Sequence, residues 1–403
     1  VVAGRRDVVV INSCAVTNEA VRQTRQAIRK ARKARPEAQV IVTGCAEQTD
    51  PGMFAAMPEV DRVLGNVEKL EAASFDARAN ARAHVSDIMA VRQTAPHLVT
   101  SFAEHARAFV EVQNGCDHRC TFCSIPYRRG RQVRRPIPEV ALEVEILVSR
   151  GVKEVTLLGQ TVDAYGYDLP DQPNLADLFT RLNDIDGIER IRFLTSHPKF
   201  MTQEIIQAVA DLPKVCEHIN LPVQSGDDGI LDEMRRQYSR AEYVDLVGRI
   251  REAMPEVALN TDIIVGFPGE TEEQFQQTLD LLSELRLDKV HCAAYSTRPG
   301  TIASRTMEDA VPEAEKTSRR QRVDRLQEEI QTEINARLVG RYEEILVEGR
   351  RRGKWQGRTR SHKLVFFEDE AYRKGEMVTV KIERSSPWSL QGSLAVKAKF
   401  LTP

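Results

Sequence analysis

The middle of the chain alternates between two patterns, short apolar runs and longer amphipathic stretches. Six apolar runs rich in Val, Ile, Leu and Phe recur between residues 108 and 294, and helical patterns separate them. Strands connected through helices pair in parallel, because the helix returns the chain to the same end of the sheet. The alternation therefore predicts an α/β fold with a parallel sheet, either open or closed into a partial (β/α)6 barrel.

These elements can be placed along the chain from their apolar periodicity. The predicted strands are 109–112, 154–158, 190–194, 218–221, 259–265 and 289–294. The predicted helices between them are 138–149, 175–184, 202–212, 241–253 and 272–285. A long charged helix is predicted over 312–338, and Gly340 is typical of the turn that ends such a helix.

The flanking segments follow other patterns. Strand patterns at 7–12 and 39–44 enclose a basic helical stretch at 18–35, which is typical of a small doubly wound α/β domain. Residues 71–107 are rich in Ala and Arg and predict a linker with some helix. Beyond the long helix, short alternating segments predict a small all-β barrel, with strands at 344–347, 363–367, 377–382 and 394–399.

A chain of 403 residues exceeds the size of one ordinary domain. We predict an N-terminal domain at 1–70, a linker at 71–107, a central domain at 108–338 and a C-terminal domain at 340–403. The chain opens directly on a strand pattern, without preceding residues to pair with it or cap it. The N-terminal domain is therefore expected to be truncated at its start.

Cysteine usage indicates the compartment and the kind of chemistry. Seven cysteines lie at positions 14, 45, 116, 120, 123, 216 and 292. An odd number without a secretory signal argues against a disulfide framework, and no apolar run reaches membrane-spanning length. We therefore expect a cytoplasmic protein without a membrane segment, in which clustered cysteines bind metal.

The cysteine cluster follows the first strand of the central domain. Cys116, Cys120 and Cys123 stand at i, i+4 and i+7, a spacing that lets one loop fold three thiolates around one centre. Three thiolates on a [4Fe–4S] cluster leave one iron open to the amine and carboxylate of an amino acid. The alternative is a structural zinc ion with His118 or Cys216 as fourth ligand, which is disfavoured because zinc sites usually combine two CxxC-like halves.

The residues around this triplet resemble a known family. The CxxxCxxC spacing with Phe122 before the last cysteine resembles the radical S-adenosylmethionine superfamily, and the continuation over 125–130 is similar to its methylthiotransferase branch. The resemblance runs in order along nearly the whole chain. It includes the segments 157–160, 195–198, 221–226, 262–271 and 295–301.

The resemblance implies a reaction and its cofactors. The family replaces an unactivated C–H bond by C–S–CH3 and consumes S-adenosylmethionine both for the radical step and for the methyl group. It uses two [4Fe–4S] clusters, a radical cluster on the cysteine triplet of a partial barrel and an auxiliary cluster in the N-terminal domain. Its C-terminal β domain is an RNA-binding barrel of the TRAM type. A flavodoxin or ferredoxin is the expected electron donor, and the protein is expected to be a monomer.

Two further cysteines match the auxiliary site of this family. Cys14 and Cys45 match its second and third auxiliary cysteines, while the first falls upstream of residue 1. Each of the two follows the end of a predicted strand, so both fall on one sheet edge, as a shared ligand site requires. The resemblance thus implies that they ligate the auxiliary [4Fe–4S] cluster. The alternative is that they are small buried core residues.

The matching segments of the central domain follow the carboxyl ends of predicted strands, where β/α barrels carry their chemistry. The glycines among them would let the backbone approach a ligand, and Arg235 or Arg236 could hold the methionine carboxylate through a fork. The alternative for each residue is structural, as a turn glycine, a helix cap or a solvated arginine. No catalytic residue is assigned. The candidates for S-adenosylmethionine binding are Gly159, Gln160, Ser196, Gln224, Asp262, Gly266 and Arg235.

The C-terminal domain is basic, with 14 Lys and Arg against 8 Asp and Glu from residue 341 onward. Cations interleaved with hydroxyls and a tryptophan are typical of surfaces that grip phosphates and stack on bases, although a solvated charged face is the alternative. The expected partner is the anticodon stem-loop of a tRNA. The candidate RNA-binding residues are Arg350, Arg351, Arg352, Lys354, Arg358, Arg360 and Lys363.

Two related nucleosides, both located beside the tRNA anticodon at position 37, are candidate substrates. Segments 193–198, 221–226 and 388–390 look like enzymes that act on isopentenyl-adenosine, whereas segments 15–17 and 114–118 look like enzymes that act on threonylcarbamoyl-adenosine. More of the chain favours isopentenyl-adenosine, with the methylthio group added at C2. The remaining alternatives are a ribosomal-protein methylthiotransferase and a non-catalytic, metal-stabilised RNA-binding protein.

Overall fold

The computed structural model describes residues 7–15, 18–75, 82–91 and 106–395. They group into two compact units. The first combines residues up to 97 with 114–133 and 296–307, and the second combines 98–113, 134–295 and the residues from 308 onward. Within the described ranges, no helix combines the length and the apolarity needed to cross a lipid bilayer.

Short strands and helices alternate along most of the chain, and strands alone make up its C-terminal part. The strands are β1 (Val8–Ser13), β2 (Gln39–Gly44), β3 (Arg62–Leu64), β4 (Ala83–His84), β5 (Arg107–Glu111), β6 (Gln113–Asn114), β7 (Val133–Arg134), β8 (Glu154–Leu158), β9 (Arg190–Phe193), β10 (His218–Asn220), β11 (Ala258–Val265), β12 (Lys289–Ala294), β13 (Tyr342–Arg351), β14 (Lys354–Arg358), β15 (Leu364–Phe367), β16 (Met377–Ser385) and β17 (Leu390–Leu394). The helices are α1 (Asn18–Ala34), α2 (Cys45–Thr49), α3 (Pro51–Ala55), α4 (Ile125–Arg129), α5 (Ile137–Ser149), α6 (Leu175–Asn183), α7 (Gln203–Asp211), α8 (Asp228–Glu233), α9 (Arg240–Ala253), α10 (Glu272–Leu285), α11 (Ile302–Thr306) and α12 (Glu313–Ala336).

The first unit is built on a four-stranded parallel sheet in the order β1-β2-β3-β4. Its core is formed by apolar side chains such as Ile28 of α1, Val40 and Val42 of β2, and Phe54 of α3. The α/β fold predicted for the N-terminal segment is confirmed. Strand β4 lies inside the stretch that the sequence analysis assigned to a linker; its two residues are exposed and carry no apolar pattern.

The second unit contains six parallel strands, which form the two three-stranded sheets β5-β8-β9 and β10-β11-β12. Helices α5, α6, α7, α9 and α10 pack their apolar faces against these strands in one continuous core. All six strands and five helices lie where the apolar periodicity predicted them. This arrangement confirms the predicted partial (β/α)6 barrel, and it adds the short helix α8, which the sequence analysis did not predict.

The last strands close into a small barrel in the order β13-β14-β15-β17-β16, which confirms the predicted all-β domain. Strand β14 was not predicted, because its two inward positions are Trp355 and Gly357 and the rest of it is polar. A Cβ on Gly357 would stand 2.3 Å from the Leu346 carbonyl oxygen, so a small residue is required there. Of the predicted strand 394–399, residues 396–399 lie outside the described residues.

Two arginines of β9 join the partial barrel to this small barrel within the second unit. Arg192 is 1% exposed and donates to the carbonyl oxygens of Thr359 at 2.7 Å and Arg360 at 2.5 Å. Arg190 is 0% exposed and donates to the Arg358 carbonyl at 2.7 Å. Each guanidinium fork therefore connects the two barrels by donating to backbone carbonyl oxygens.

Arg192 also compensates a buried carboxylate. The Glu154 side chain is 0% exposed, and its Oε1 lies 3.0 Å from the Arg192 Nε. Arg192→Ala should therefore lower the free energy of unfolding by about 3–5 kcal/mol, since the buried Glu154 loses its nearer cation and keeps only Arg107, whose Nη1 lies 3.7 Å away. The measurement is urea unfolding followed by circular dichroism.

The matched control is Arg341→Ala. Arg341 is half-exposed and pairs with the exposed Glu256 at 2.9 Å, so its loss should cost less than about 1 kcal/mol. Equal effects of the two substitutions would contradict the assigned role of Arg192.

Candidate functional site

The cysteine triplet lies on a closed loop of the first unit. The N–H of Cys116 donates to the Gly130 carbonyl at 3.3 Å, which ties the two ends of the loop together. Gly115, just before it, has φ +76°, and a Cβ there would stand 2.1 Å from the Arg131 carbonyl oxygen. Only glycine allows this approach, so the loop is shaped by its backbone before any ligand binds.

The three thiols of this loop are partly withdrawn from solvent. Cys116 and Cys120 are each 8% exposed, and Cys123 is half-buried. Across the described residues, no three His, Cys, Asp or Glu side chains converge tightly enough to hold a single metal ion. One closed loop therefore carries all three thiols of the triplet, and two of them are nearly buried.

Cys14 and Cys45 lie side by side at the carboxyl edge of the N-terminal sheet. Strands β1 and β2 pair in parallel with Ser13 opposite Gly44, and each cysteine is the next residue along its strand. Cys14 is exposed, and Cys45, the first residue of α2, is half-buried. Two thiols thus share one sheet edge, which is the arrangement that a common cluster requires.

A buried carboxyl group lies beside this edge. The Glu47 side chain is fully buried and accepts a hydrogen bond from the Ser13 hydroxyl, and its Oε1 has no partner among the described residues. Burial raises the pKa of Glu47 to about 7. The Ser13 hydroxyl accepts from the N–H of Ala46 at 3.1 Å, so these contacts fix the start of α2 next to Cys45.

In the second unit, the loop after β8 is held by a buried amide. Oε1 of Gln113, a residue that is 0% exposed, accepts from the N–H groups of Gln160 at 2.8 Å and Thr161 at 3.0 Å. A Cβ on Gly159 would stand 2.3 Å from that oxygen, so Gly159 makes room for Gln113. The side-chain Oε1 of Gln160 is buried without a partner among the described residues and remains available to a ligand.

Ser196 and Gln224 follow the ends of β9 and β10, and Asp262 lies within the neighbouring strand β11. The N–H of Ser196 donates to the Asn220 carbonyl at 3.2 Å, and the N–H of Gln224 donates to the Asp262 carbonyl at 2.9 Å. The Ser196 hydroxyl is buried without a partner among the described residues. Gln224 has φ +76°, a strained conformation of the kind that clusters at functional sites. Burial raises the pKa of Asp262.

Two further polar residues at this end, Asp163 and Tyr238, were missed by the sequence analysis. The buried Asp163 accepts from the N–H of His197 at 2.7 Å, and its Oδ1 has no partner among the described residues. The His197 ring lies edge-on to Tyr238 with centroids 5.6 Å apart. The Tyr238 hydroxyl accepts from Nε of the buried Arg236 at 2.9 Å. Asp163 is flanked by two buried apolar residues, and this break in an apolar run was the available signal.

Arg235 and Gly266 were predicted to bind S-adenosylmethionine, but the structure gives each of them other surroundings. Arg235 is exposed with φ +57°, whereas the neighbouring Arg236 is 5% exposed and faces the polar group just described. Of the two arginines, Arg236 is therefore better placed to hold a carboxylate. Gly266 packs against the aliphatic stem of Lys316, with a hypothetical Cβ 2.3 Å from its Cγ, so its lack of a side chain is used for packing.

The predicted RNA-binding residues separate into two groups. Arg350, Arg351 and Arg352 are exposed at the β13–β14 hairpin, and Lys354 is half-buried there beside Glu368. The other three are ion-paired with acidic residues of the second unit, at 3.3 Å or less. These pairs are Arg358–Glu348, Arg360–Glu217 and Lys363–Asp288. The hairpin group has the more accessible charge.

The remaining two cysteines lie in the second unit. Cys216 is 0% exposed, and burial raises the pKa of its thiol. Cys292 is half-buried, and burial raises the pKa of its thiol to about 12. Burial therefore favours the protonated form of both thiols.

Comparison with known families covers most of the chain. Residues 110–282 match the model of the radical SAM superfamily, residues 3–65 match the uncharacterized protein family UPF0004, and residues 336–395 match the TRAM domain. A "tRNA-2-methylthio-N(6)-dimethylallyladenosine synthase" from Dehalococcoides mccartyi strain CBDB1 is 43% identical over 392 residues, 96% of this chain and 89% of that protein. The chain belongs to the radical SAM tRNA methylthiotransferase family.

Other members of this methylthiotransferase family agree. A protein with the same name from Chloroflexus aurantiacus is 53% identical over 286 residues, which cover 70% of this chain and 61% of that protein. Among solved structures, a radical S-adenosylmethionine methyltransferase, TsrM, from Kitasatospora setae matches with a TM-score of 0.55 at 16% identity, covering 74% of this chain and 65% of that one. The latter likeness supports the fold alone.

Membership of the methylthiotransferase family identifies the kind of cofactor. A radical SAM enzyme holds a [4Fe–4S] cluster and S-adenosylmethionine, so the family favours an iron–sulfur cluster over the zinc alternative. Gln160, Ser196 and Asp163 lie in the loops after β8 and β9, and each has a buried oxygen without a partner among the described residues. These oxygens fit a polar ligand at that end of the sheet.

The buried Asp163 predicts a pH dependence of stability. Burial raises its pKa to about 8, so the folded protein keeps a proton that the unfolded chain, near the ordinary value of 3.8, releases. This contribution to stability is complete below about pH 4 and is lost as the pH rises towards 8. Between pH 5 and pH 8, the melting temperature should therefore fall more steeply in the wild type than in Asp163→Asn. Parallel slopes in calorimetry would contradict the assignment.

Proposed function

We propose that the protein methylthiolates C2 of N6-dimethylallyl-adenosine at position 37 of tRNA. The observation that carries this proposal is the identity to proteins named for that reaction. It is 40–43% where the match covers 96% of the chain and 53% where the match covers 70%. The partial barrel, the cysteine loop and the TRAM barrel are the parts that such a reaction on RNA requires. The same relatives span the N-terminal segments that resemble threonylcarbamoyl-adenosine enzymes, which supports the dimethylallyl substrate over that alternative.

Residues of this chain would hold the cofactors as follows. Cys116, Cys120 and Cys123 would hold the radical [4Fe–4S] cluster, which with bound S-adenosylmethionine supplies the one-electron chemistry that removes a hydrogen atom from C2. The open oxygens of Gln160 and Ser196 would accept or donate hydrogen bonds to S-adenosylmethionine. The proton kept by Asp163 makes this acid a neutral donor near pH 7. A flavodoxin or ferredoxin would supply the electron to the monomeric protein in the cytoplasm.

A second cluster is also part of the proposal. Cys14 and Cys45 would ligate an auxiliary [4Fe–4S] cluster that delivers the sulfur atom. The parallel register of Ser13 with Gly44, which sets the two thiols at one sheet edge, supports this assignment.

The β13–β14 hairpin is the proposed tRNA contact. Arg352 and Gly353 form its turn with φ +50° and +83°, so the exposed guanidinium of Arg352 is held at its tip. Next to it, Arg350 lies 4.4 Å above the ring of Trp355, and the 71%-exposed ring of Tyr372 meets Trp355 edge-on at 5.6 Å. Cations beside an exposed aromatic ring suit phosphate binding and base stacking.

The substrate assignment can be tested with three purified tRNAs that carry dimethylallyl-adenosine, threonylcarbamoyl-adenosine or unmodified adenosine at position 37. The reconstituted protein should convert only the first, and mass spectrometry of the digested nucleosides detects the added methylthio group. Conversion of threonylcarbamoyl-adenosine instead would overturn the proposed substrate, and methylthiolation of a ribosomal protein would overturn the RNA class.

The cluster ligands predict a defined iron content. After anaerobic reconstitution, Cys116→Ala/Cys120→Ala/Cys123→Ala should lose about half of the wild-type iron and all reductive cleavage of S-adenosylmethionine, because each cluster has its own thiolates. Cys14→Ala/Cys45→Ala should lose the other half and retain that cleavage. The control is Cys216→Ala, which should keep all of the iron. Full iron in the triple variant would contradict the assignment.

The hairpin arginines predict the salt dependence of tRNA binding. Arg351→Gln/Arg352→Gln should weaken binding and make the logarithmic salt dependence shallower by roughly one to two counterions, because each phosphate contact releases condensed cations. Fluorescence anisotropy of a labelled tRNA at several salt concentrations measures the slope. Arg325→Gln, an exposed arginine of α12, is the control and should leave the slope unchanged. An unchanged slope in the double variant would remove the hairpin from the interface.

A further inference from the structure

Arg128 connects the cysteine loop with the sheet edge that carries Cys14 and Cys45. It lies on α4, five residues after Cys123, and is 5% exposed. Its Nη1 donates a hydrogen bond to the carbonyl of Ala15, the residue that follows Cys14. All of these residues belong to the first unit. One guanidinium therefore reaches from the segment of the triplet to the end of β1.

A second connection leads from Arg128 to Cys45. The side-chain amide nitrogen of Asn66 donates to the Arg128 carbonyl at 2.9 Å and lies 4.0 Å from Sγ of Cys45. Asn66 is itself held by Lys69, whose Nζ donates to its Oδ1 at 2.7 Å. Asn66 thus holds the backbone of α4 beside Cys45, and the hydrogen bond to Ala15 holds the guanidinium of Arg128 at the end of β1.

Among the residues that the structure describes, the buried charge of Arg128 has no acidic partner. Its Nε has no hydrogen-bond partner, and no carboxylate forms an ion pair with it among the described residues. Burial lowers the pKa of this guanidinium, and the charges of Cys45, Cys123 and Cys14 act in the opposite direction. A buried arginine normally requires an anion. The three thiols that act on it belong to both cysteine groups.

We propose that Arg128 is a positioning residue that serves as the common counter-charge of the two cluster sites and raises the reduction potential of both clusters. One-electron reduction adds one negative charge to a cluster, and that electron comes from the external low-potential donor. A buried cation stabilises the added charge, so the reduced form becomes easier to reach. The part that concerns Cys14 and Cys45 rests on the proposed function, namely on the auxiliary cluster itself.

The experiment is a redox titration of the reconstituted protein with dithionite, followed by electron paramagnetic resonance of the reduced clusters. Arg128→Gln should lower both midpoint potentials, and Arg128→Lys, which keeps the charge, should restore most of the wild-type value. Arg128→Met preserves the aliphatic stem and serves as the second neutral variant if the glutamine variant loses iron. Arg131→Gln is the matched control, since Arg131 is half-exposed and pairs with Asp117 at 3.5 Å.

Two backgrounds separate this inference from the proposed auxiliary cluster. In Cys14→Ala/Cys45→Ala, Arg128→Gln should still lower the potential of the radical cluster, which addition of S-adenosylmethionine identifies by its altered spectrum. In the triple variant of Cys116, Cys120 and Cys123, it should lower the potential of the remaining cluster. Absence of iron in the triple variant would refute the auxiliary cluster but leave the first comparison intact. Unchanged potentials in Arg128→Gln, or an equal shift in Arg131→Gln, would overturn the role of Arg128.

Discussion

Parallel strand pairing is the constraint on which the candidate sites of this chain depend. In a parallel sheet, all strands end at the same edge, so residues far apart in sequence are brought together wherever strands stop. The register of Ser13 with Gly44 places Cys14 next to Cys45 in this way. In the partial barrel, the same rule brings Ser196 to the end of β10 and Gln224 to β11.

Several buried polar groups at these edges have no hydrogen-bond partner among the described residues. Most buried polar atoms in proteins have a hydrogen-bond partner. In this protein, side-chain oxygens of Glu47, Gln160, Asp163 and Ser196 have none among the described residues. Each such oxygen costs folding free energy, and a bound ligand or cofactor would recover it. The buried guanidinium of Arg128 also costs folding free energy, and an anionic cluster held by cysteines of either group would recover it.

The basic C-terminal segment illustrates a limit of sequence reasoning. Seven cations between residues 350 and 363 formed one predicted RNA surface, but they occupy two environments. Arg350, Arg351 and Arg352 are exposed on a hairpin, whereas Arg360 pairs with Glu217 of the partial barrel. All of these side chains are cations, so their residue type does not separate the two environments. The separation depends on the position of each residue relative to strand β14, which has too few apolar residues to be predicted from the sequence.

Apolar periodicity was sufficient to predict the six strands and five helices of the partial barrel, and residue spacing was sufficient to find the cysteine triplet, because both are local properties of the chain. Which polar residues lie in a site depends instead on the three-dimensional arrangement of the chain. Arg236 rather than its neighbour Arg235 is buried, Gly159 makes room for Gln113, and Asp163 lies beneath His197. Burial and hydrogen-bond partners depend on residues distant in sequence, and no local pattern contains them.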